Sequence, residues 1–154
     1  GLRPVVAVYS TFLTRAIDQV NLDVGLHGQP VVFVLDRAGI TGDDGASHHG
    51  VLDMVLLSKV PDMTVFAPSN YAEVGQMLHD ALDLCADGPA AIRFAKTMPP
   101  QGEVTTGSGL SARRVRAGSE ICLIGVGKML GAASVAADRL AEQGHDVTVW
   151  IRGW

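Results

Sequence analysis

The amino-acid sequence predicts an α/β protein, with a doubly wound parallel sheet followed by the start of a second α/β domain. Short apolar runs alternate along the chain with stretches whose apolar residues recur at the spacing of a helix. This alternation is typical of βαβ units in parallel sheets. With 47% hydrophobic residues among its 154, the chain can also form a sizeable core.

The first part of the chain contains four predicted strands, each a short apolar run of the kind buried in parallel sheets. These strands are expected at 5–9, 31–35, 63–67 and 90–94. Helical periodicity predicts helices over 11–24 and 51–58. Before the fourth strand we expect another helix, with Ser69 or Asn70 as its N-cap and Glu73 reaching back to the cap.

A turn-rich stretch without periodicity separates this first part from the rest, and we interpret it as a linker. Beyond it, the pattern predicts strands over 121–124 and 147–150 with a helix over 129–143 between them. The expected parts are a first domain at 1–97, a linker at 98–109 and the start of a second domain at 110–154. Because the chain begins without Met and ends inside a βαβ unit, we expect it to be an internal piece of a longer protein.

Composition argues against several classes of protein. The net charge is −4 with only 12 Lys and Arg residues, so there is no basic stripe for a nucleic-acid partner. No apolar run reaches the roughly 18 residues that span a bilayer, which argues against a membrane partner. Cys85 and Cys122 match no paired zinc spacing, and their apolar neighbours predict two buried thiols in a reducing cytoplasm.

The loop at 36–50 is the strongest candidate for a functional site. It follows the second predicted strand and combines acids, Arg37, two histidines and four glycines. Ligands of open α/β sheets bind beyond the carboxyl ends of the strands, so the loop is interpreted as part of an active site. A metal site and a plain glycine-rich loop stay open as alternatives. The adjacent pair His48 and His49 lacks the spacing of a helical zinc motif, and His48 is the better candidate for proton transfer.

Three other features allow two interpretations each. Arg37 and Arg93 lie in apolar contexts, where they could form internal salt bridges or hold an anionic substrate group. Tyr9 and Phe12 flank the first strand-to-helix turn and, taken alone, favour a place in the core. The glycines at 125–131 follow a strand and open a helix, but their spacing favours a tight turn over a dinucleotide site.

A series of short motifs in the first part of the chain occurs in the order and register of a known family. They are Tyr9-Ser10-Thr11-Phe12-Leu13, Arg15-Ala16, Asp18-Gln19-Val20, Asp36-Arg37-Ala38-Gly39, Gly42, Asp44-Gly45, His48, Gly50 and Asp53-Met54. In these motifs the chain resembles the 1-deoxy-D-xylulose-5-phosphate synthases, a transketolase-type family that depends on thiamine diphosphate. The resemblance extends more loosely to Trp150.

The resemblance implies an enzyme that condenses pyruvate with D-glyceraldehyde 3-phosphate and releases CO2. It also implies a transferase role in isoprenoid and thiamine precursor biosynthesis, thiamine diphosphate and Mg²⁺ as cofactors, and a cytoplasmic homodimer. The first domain would be the pyrimidine-binding domain of such an enzyme, and the second would be the truncated transketolase C-terminal domain.

For the cofactor, the resemblance implies that Phe12 stacks on the aminopyrimidine ring, while Tyr9 and Arg15 line the same pocket. No residue of this chain is expected to bind the metal, because the family's metal motif and catalytic glutamate lie in a domain upstream of Gly1. We therefore expect the isolated chain to be inactive.

For the substrate, the resemblance implies that Arg37 and Arg93 hold the phosphate group. His48 would assist proton movement beside the substrate carbonyl, and Asp44 would orient it by hydrogen bonding. One departure concerns this site, since Lys96 stands where the family has the arginine of an aromatic-Pro-Arg-Gly motif.

Three alternatives to the synthase function stay open. The chain could belong to a non-catalytic interaction or regulatory relative of the fold, although a scaffold has no need of Arg37, Asp44, His48 and Arg93 together. It could instead come from a nucleotide-binding oxidoreductase that uses the glycines at 125–131. A third possibility is another thiamine-diphosphate enzyme, such as transketolase or a pyruvate dehydrogenase β subunit.

Overall fold

A computed structural model describes residues 1–98 and 110–152. The strands in these ranges are β1 Val5–Tyr9, β2 Val32–Asp36, β3 Thr64–Phe66, β4 Ala90–Arg93, β5 Arg113–Arg116, β6 Ile121–Val126 and β7 Val147–Arg152. The α-helices are α1 Ser10–Leu13, α2 Ile17–Gln19, α3 Asp53–Leu57, α4 Tyr71–Leu84 and α5 Met129–Glu142. A π-helical segment covers Val20–Gly25, and two 3₁₀ turns cover Gly42–Asp44 and Ala46–His48. Within the described ranges, every helix is too short or too polar to cross a bilayer.

The first sheet contains four parallel strands in the order β1-β2-β4-β3. One face packs against α1 and α3 through a core that includes Leu13, Phe33 and Leu57. The opposite face packs against α4, and its core includes Phe66 and Met77. Helices therefore cover both faces of the sheet, which confirms the predicted doubly wound α/β architecture.

The second sheet contains three strands in the order β5-β7-β6. β6 and β7 are parallel, and α5 packs on one face of the pair through Ala137, Val147 and Val149. β5 pairs antiparallel with β7 and was not predicted. Three of its four residues are arginines, so it lacks the apolar run that identifies a strand. Its strand conformation therefore depends on its pairing with β7.

Two predictions for the start of the chain are wrong. β1 is not buried, since Val5 is 50% exposed and Val6 is 42% exposed, because β1 is an edge strand with a neighbour on one side only. The single helix predicted over 11–24 is divided into α1, α2 and the π-helical segment. The Thr14 hydroxyl donates to the Thr11 carbonyl oxygen at 2.8 Å, and such a bond competes with regular helix hydrogen bonds.

The capping prediction for α4 is confirmed. The Asn70 side chain accepts a hydrogen bond from the Glu73 backbone N–H at 3.0 Å. The Glu73 carboxylate in turn accepts one from the Ser69 backbone N–H at 2.8 Å. This reciprocal arrangement satisfies free N–H groups at the start of the helix and places Ser69 and Asn70 at the end of β3.

The prediction that both cysteines are buried is confirmed for one of them and wrong for the other. Cys85 is buried, but Cys122 is exposed on the face of the second sheet away from α5. Of the predicted linker, 99–109 lies outside the described residues, so the domain boundaries stay predictions.

Candidate active site

The loop at 36–50 folds against the carboxyl ends of β1 and β2. Gly39 and Gly50 exchange backbone hydrogen bonds at 2.8 and 2.9 Å, which closes the base of the loop. The Ser10 hydroxyl donates to the Gly50 carbonyl oxygen at 3.3 Å, and the Thr11 hydroxyl donates to the Ser47 carbonyl oxygen at 3.1 Å. A Cβ on Gly50 would lie 2.2 Å from the Ser10 Oγ. Only glycine therefore allows the loop to close this tightly on α1.

This closure brings together an aromatic group formed by Tyr9, Phe12 and His48. The Tyr9 and Phe12 rings stack with centroids 5.6 Å apart, and the His48 ring lies edge-on, 5.5 Å from Phe12. Phe12 is 39% exposed, so the interpretation of this ring as core is wrong. An exposed aromatic face beside a histidine offers a stacking surface for a planar ligand.

The two adjacent histidines have different surroundings. His49 Nδ1 accepts a hydrogen bond from the Thr41 backbone N–H at 3.2 Å and lies 2.9 Å from the Thr41 hydroxyl. His48 Nδ1 lies 3.1 Å from the Ser47 hydroxyl. Among the described residues, His48 Nε2 has no hydrogen-bond partner. His49 therefore stabilises the loop, whereas one ring nitrogen of His48 stays without a partner in this part of the chain.

A cluster of charged side chains lies beside the aromatic group. Arg37 donates from Nε to Asp44 at 2.9 Å and also pairs with Asp36. Lys96 Nζ donates to the other Asp44 oxygen at 2.7 Å. The Arg37 guanidinium carbon lies 4.1 Å from the centre of the Tyr9 ring, close enough for a cation–π contact. This charged cluster is therefore continuous with the aromatic group.

Arg37 has a backbone φ of +59°, in the left-handed region that residues with a side chain rarely adopt. Such strain persists where the surrounding structure compensates for it, and it is frequent at functional sites. Here the compensation comes from the Asp36 carboxylate, which accepts from the Arg37 backbone N–H at 2.6 Å. The unusual backbone turn directs Arg37 to Asp44 and Tyr9.

The charged cluster changes the acid–base properties of its members. Hydrogen bonds from Lys96 and then Arg37 lower the pKa of Asp44 below its usual range. The same contact with Asp44 is the main cause of the raised pKa of Arg37. Asp44 is therefore a carboxylate at neutral pH and can accept hydrogen bonds only.

Arg93 pairs with a different carboxylate from those of the charged cluster. Its Nε donates to Asp53 at 2.7 Å, and the Asp53 side chain is only 1% exposed. The contact joins β4 to α3. For Arg93 the geometry favours the internal salt bridge over the anion clamp. The Arg37 side chain is little more exposed, at 21% against 16%, but both of its carboxylate partners are partly exposed.

Lys96 was not among the predicted site residues, although the sequence contained a signal for it. It occupies the position of the arginine in the family's aromatic-Pro-Arg-Gly motif, and the structure places it on Asp44 opposite Arg37. The predicted pocket residue Arg15 is exposed. Among the described residues its side chain forms no hydrogen bond or ion pair.

A cleft of about 640 Å³ opens next to the charged cluster. The cleft is lined by Asp36 and Lys96, by Ser69 and Asn70 at the start of α4, and by Lys128 of the second sheet. Its volume is within the range of small-molecule sites, roughly 300–1,000 Å³.

The alternatives of a metal site and a nucleotide site receive no support from the geometry. In residues 1–98 and 110–152, no group of three or more His, Cys, Asp or Glu side chains could hold a metal ion. A Cβ on Gly127 would lie 3.2 Å from the Ala67 carbonyl oxygen. The glycine turn at 125–131 is thus packed against the end of β3, as expected for a tight turn.

Proteins named 1-deoxy-D-xylulose-5-phosphate synthase resemble the chain over nearly its whole length. The protein from Mycobacterium avium (strain 104) is 48% identical over 100% of this chain and 25% of its own length. The protein from Thermobifida fusca (strain YX) is 45% identical with the same coverage. The protein from Anaeromyxobacter dehalogenans is 43% identical over 97% of this chain and 24% of its own length. The chain spans about a quarter of the length of these relatives.

Solved structures share the fold at lower identity. A split-gene transketolase, described as an inactive β4 tetramer, superposes with a TM-score of 0.85 at 22% identity, covering 99% of this chain and 50% of that protein. A transketolase mutant from Pichia stipitis gives a TM-score of 0.86 at 18% identity, covering 98% of this chain and 23% of the other.

The family described as "Transketolase, pyrimidine binding domain" matches residues 1–101, the part that contains the aromatic group and the charged cluster. The chain therefore belongs to the transketolase pyrimidine-binding domain family, and the resemblance to 1-deoxy-D-xylulose-5-phosphate synthases is confirmed along its length.

Proposed function

We propose that this chain is the substrate- and cofactor-facing segment of a 1-deoxy-D-xylulose-5-phosphate synthase. In this function pyruvate is condensed with D-glyceraldehyde 3-phosphate and CO2 is released. The observation that carries the proposal is the joined arrangement of Tyr9, Phe12 and His48 with Arg37 and Asp44 at one edge of the sheet. An interaction scaffold has no need of this combination of stacking surface, proton carrier and cations.

The exposed ring of Phe12 fits a planar aminopyrimidine, with the Tyr9 ring as its support. Arg15 is proposed to contact the same cofactor, since its side chain is exposed next to α1. Thiamine diphosphate would supply the electron sink for decarboxylation. The described residues do not fit Mg²⁺, so we propose that its ligands lie in another part of the enzyme.

His48 is proposed to move a proton at the carbonyl oxygen of the substrate. A histidine near neutral pH can donate or accept a proton, and positioned acid–base groups typically contribute about 10²–10⁴-fold in rate. Asp44 is proposed to hold Arg37 and Lys96 in place rather than to carry the proton, because its low pKa keeps it ionised.

The substrate phosphate is proposed to bind Arg37 together with Lys96. Both cations share Asp44, and phosphate could take over part of their hydrogen bonding. The Arg93 guanidinium, which we expected to share this task, is proposed to act indirectly, because it holds α3 and the end of the loop through Asp53.

The finer properties of the enzyme are also proposals. They are a role in isoprenoid and thiamine precursor biosynthesis, a homodimer and a cytoplasmic location. The two free thiols, Cys85 and Cys122, are compatible with a reducing compartment. Sedimentation of the reconstituted enzyme would show whether it forms a dimer.

The test is an activity measurement after joining this chain to the upstream domain of a related synthase. The assay contains pyruvate, D-glyceraldehyde 3-phosphate, thiamine diphosphate and Mg²⁺. Product formation should fall sharply in His48→Ala and Arg37→Ala. His79→Ala, which removes an exposed histidine from α4, is the matched control and should keep full activity. A folded, cofactor-loaded enzyme that forms no product would contradict the proposed function.

A further inference from the structure

Lys128 lines the same cleft as Lys96, although the two lysines belong to different sheets. It is the N-cap residue of α5, in the turn that follows β6. Its side chain is exposed and, among residues 1–98 and 110–152, forms no hydrogen bond or ion pair. The second sheet thus contributes to the cleft a cation that is not neutralised by a neighbour.

The position of Lys128 is set by close backbone packing. The preceding Gly127 has a φ of +53°, and a Cβ at this residue would lie 3.2 Å from the Ala67 carbonyl oxygen and 3.3 Å from that of Pro68. A side chain at this position would be strained by the backbone φ and crowded by these oxygens, which favours glycine. Lys128 is therefore presented at the cleft by a constrained turn rather than by a flexible loop.

The charges around the cleft favour an anion. Two lysines, Lys96 and Lys128, line the cleft together with one carboxylate, that of Asp36. In the adjoining charged cluster, Arg37 pairs with Asp36, and Asp44 pairs with Lys96. The two carboxylates are already paired with Arg37 and Lys96, so the charge of Lys128 is the one in excess. This local excess contrasts with the chain's net charge of −4. A lysine ammonium on its flexible stem is well suited to bind phosphate as a point charge.

We propose that Lys128 is a substrate-positioning residue through which the second domain contacts the phosphate group of the acceptor substrate. The proposal rests on the proposed function, because it extends the phosphate site of Arg37 and Lys96 across the cleft. It assigns the second sheet a direct part in recognising phosphorylated, rather than unphosphorylated, three-carbon compounds.

The test is a titration of the ¹⁵N-labelled 154-residue chain, followed by NMR. The probes are glycerol 3-phosphate, glycerol and inorganic phosphate. We expect saturable shifts at Lys96 and Lys128 with glycerol 3-phosphate and none with glycerol. Lys128→Met should weaken binding of glycerol 3-phosphate about fivefold to tenfold, the effect of one exposed charged contact. Lys128→Arg should restore most of the affinity, because it restores the charge.

Lys59→Met is the matched control, since Lys59 is exposed at the end of α3 and does not line the cleft. Unchanged affinity in Lys128→Met, together with weaker binding in Arg37→Ala, would overturn the role of Lys128 and leave the proposed function intact. If the parent chain gives a dispersed spectrum but binds no phosphate compound, both the role of Lys128 and the phosphate site fail. Binding of inorganic phosphate alone would mean an adventitious ion only and would also overturn the proposal.

Discussion

Two arginine–aspartate pairs at the same edge of the first sheet have different surroundings. Arg93 pairs with Asp53, whose side chain is 1% exposed. Arg37 pairs with Asp44, whose side chain is 20% exposed and also binds Lys96. The first pair is enclosed between β4 and α3, whereas the second is joined through Lys96 to the lining of the cleft. The same two residue types therefore form an enclosed pair in one place and a partly exposed pair in the other, and we propose ligand binding for the second pair only.

The largest expected effect is a loss of stability when the buried pair of Arg93 and Asp53 is broken. Asp53→Asn leaves the Arg93 guanidinium without its counter-charge, and loss of one partner from a buried pair costs about 3–5 kcal/mol. Urea unfolding of the chain should show this loss in the free energy of unfolding. Asp44→Asn, the matched change at the open pair, should cost much less, because solvent screens a partly exposed pair. Equal losses in the two variants would remove the distinction between the pairs.

The next effect is on activity, at the open pair. Arg37→Ala should lower kcat/KM for D-glyceraldehyde 3-phosphate by about 10- to 100-fold in the reconstituted enzyme, because a charged hydrogen bond to phosphate is lost. Unfolding in urea should change little, since the two carboxylates that Arg37 leaves behind are partly exposed to solvent. A loss of stability without a change in kcat/KM would mean that Arg37 is structural, like Arg93.

Lys96 allows a sharper test of the open pair. Lys96→Met should raise the KM for D-glyceraldehyde 3-phosphate about tenfold, because one of the proposed phosphate contacts disappears. Lys96→Arg, which restores the residue of the family's motif, should keep the KM near that of the parent. If Lys96→Met and Lys59→Met have the same KM, Lys96 has no part in binding the phosphate.

The smallest expected effect is the pH dependence of the unfolding free energy that Asp44 contributes. The pKa of Asp44 is lowered in the folded state by Lys96 and Arg37, against an ordinary value of 3.8. Its ionised form therefore stabilises the fold above that ordinary value, and this contribution is lost as the pH falls through the lowered pKa. The gap in unfolding free energy between the parent and Asp44→Asn should narrow as the pH is lowered below about 4. A gap that stays constant down to pH 2 would contradict the assignment of this carboxylate.

Much of the fold could be predicted from the sequence because local patterns determine it. The apolar runs predicted six of the strands in residues 1–98 and 110–152, and the cap of α4 was visible in the spacing of Asn70 and Glu73. β5 could not be predicted, since its strand conformation depends on pairing with β7. The exposure of β1 depends likewise on its place at the edge of the sheet.

Short-range spacing and motif order were enough to predict the α/β class, to propose the loop at 36–50 as a candidate site and to reveal the family resemblance. The sequence did not show which cation bonds to which carboxylate, because these contacts form only in the folded chain. Lys96 is 52 residues from Asp44 along the chain and bonds to it, whereas Arg93 forms its ion pair with Asp53. Parallel strands bring their carboxyl ends to one edge of the sheet, and the burial of each side chain there determines which opposite charges become partners.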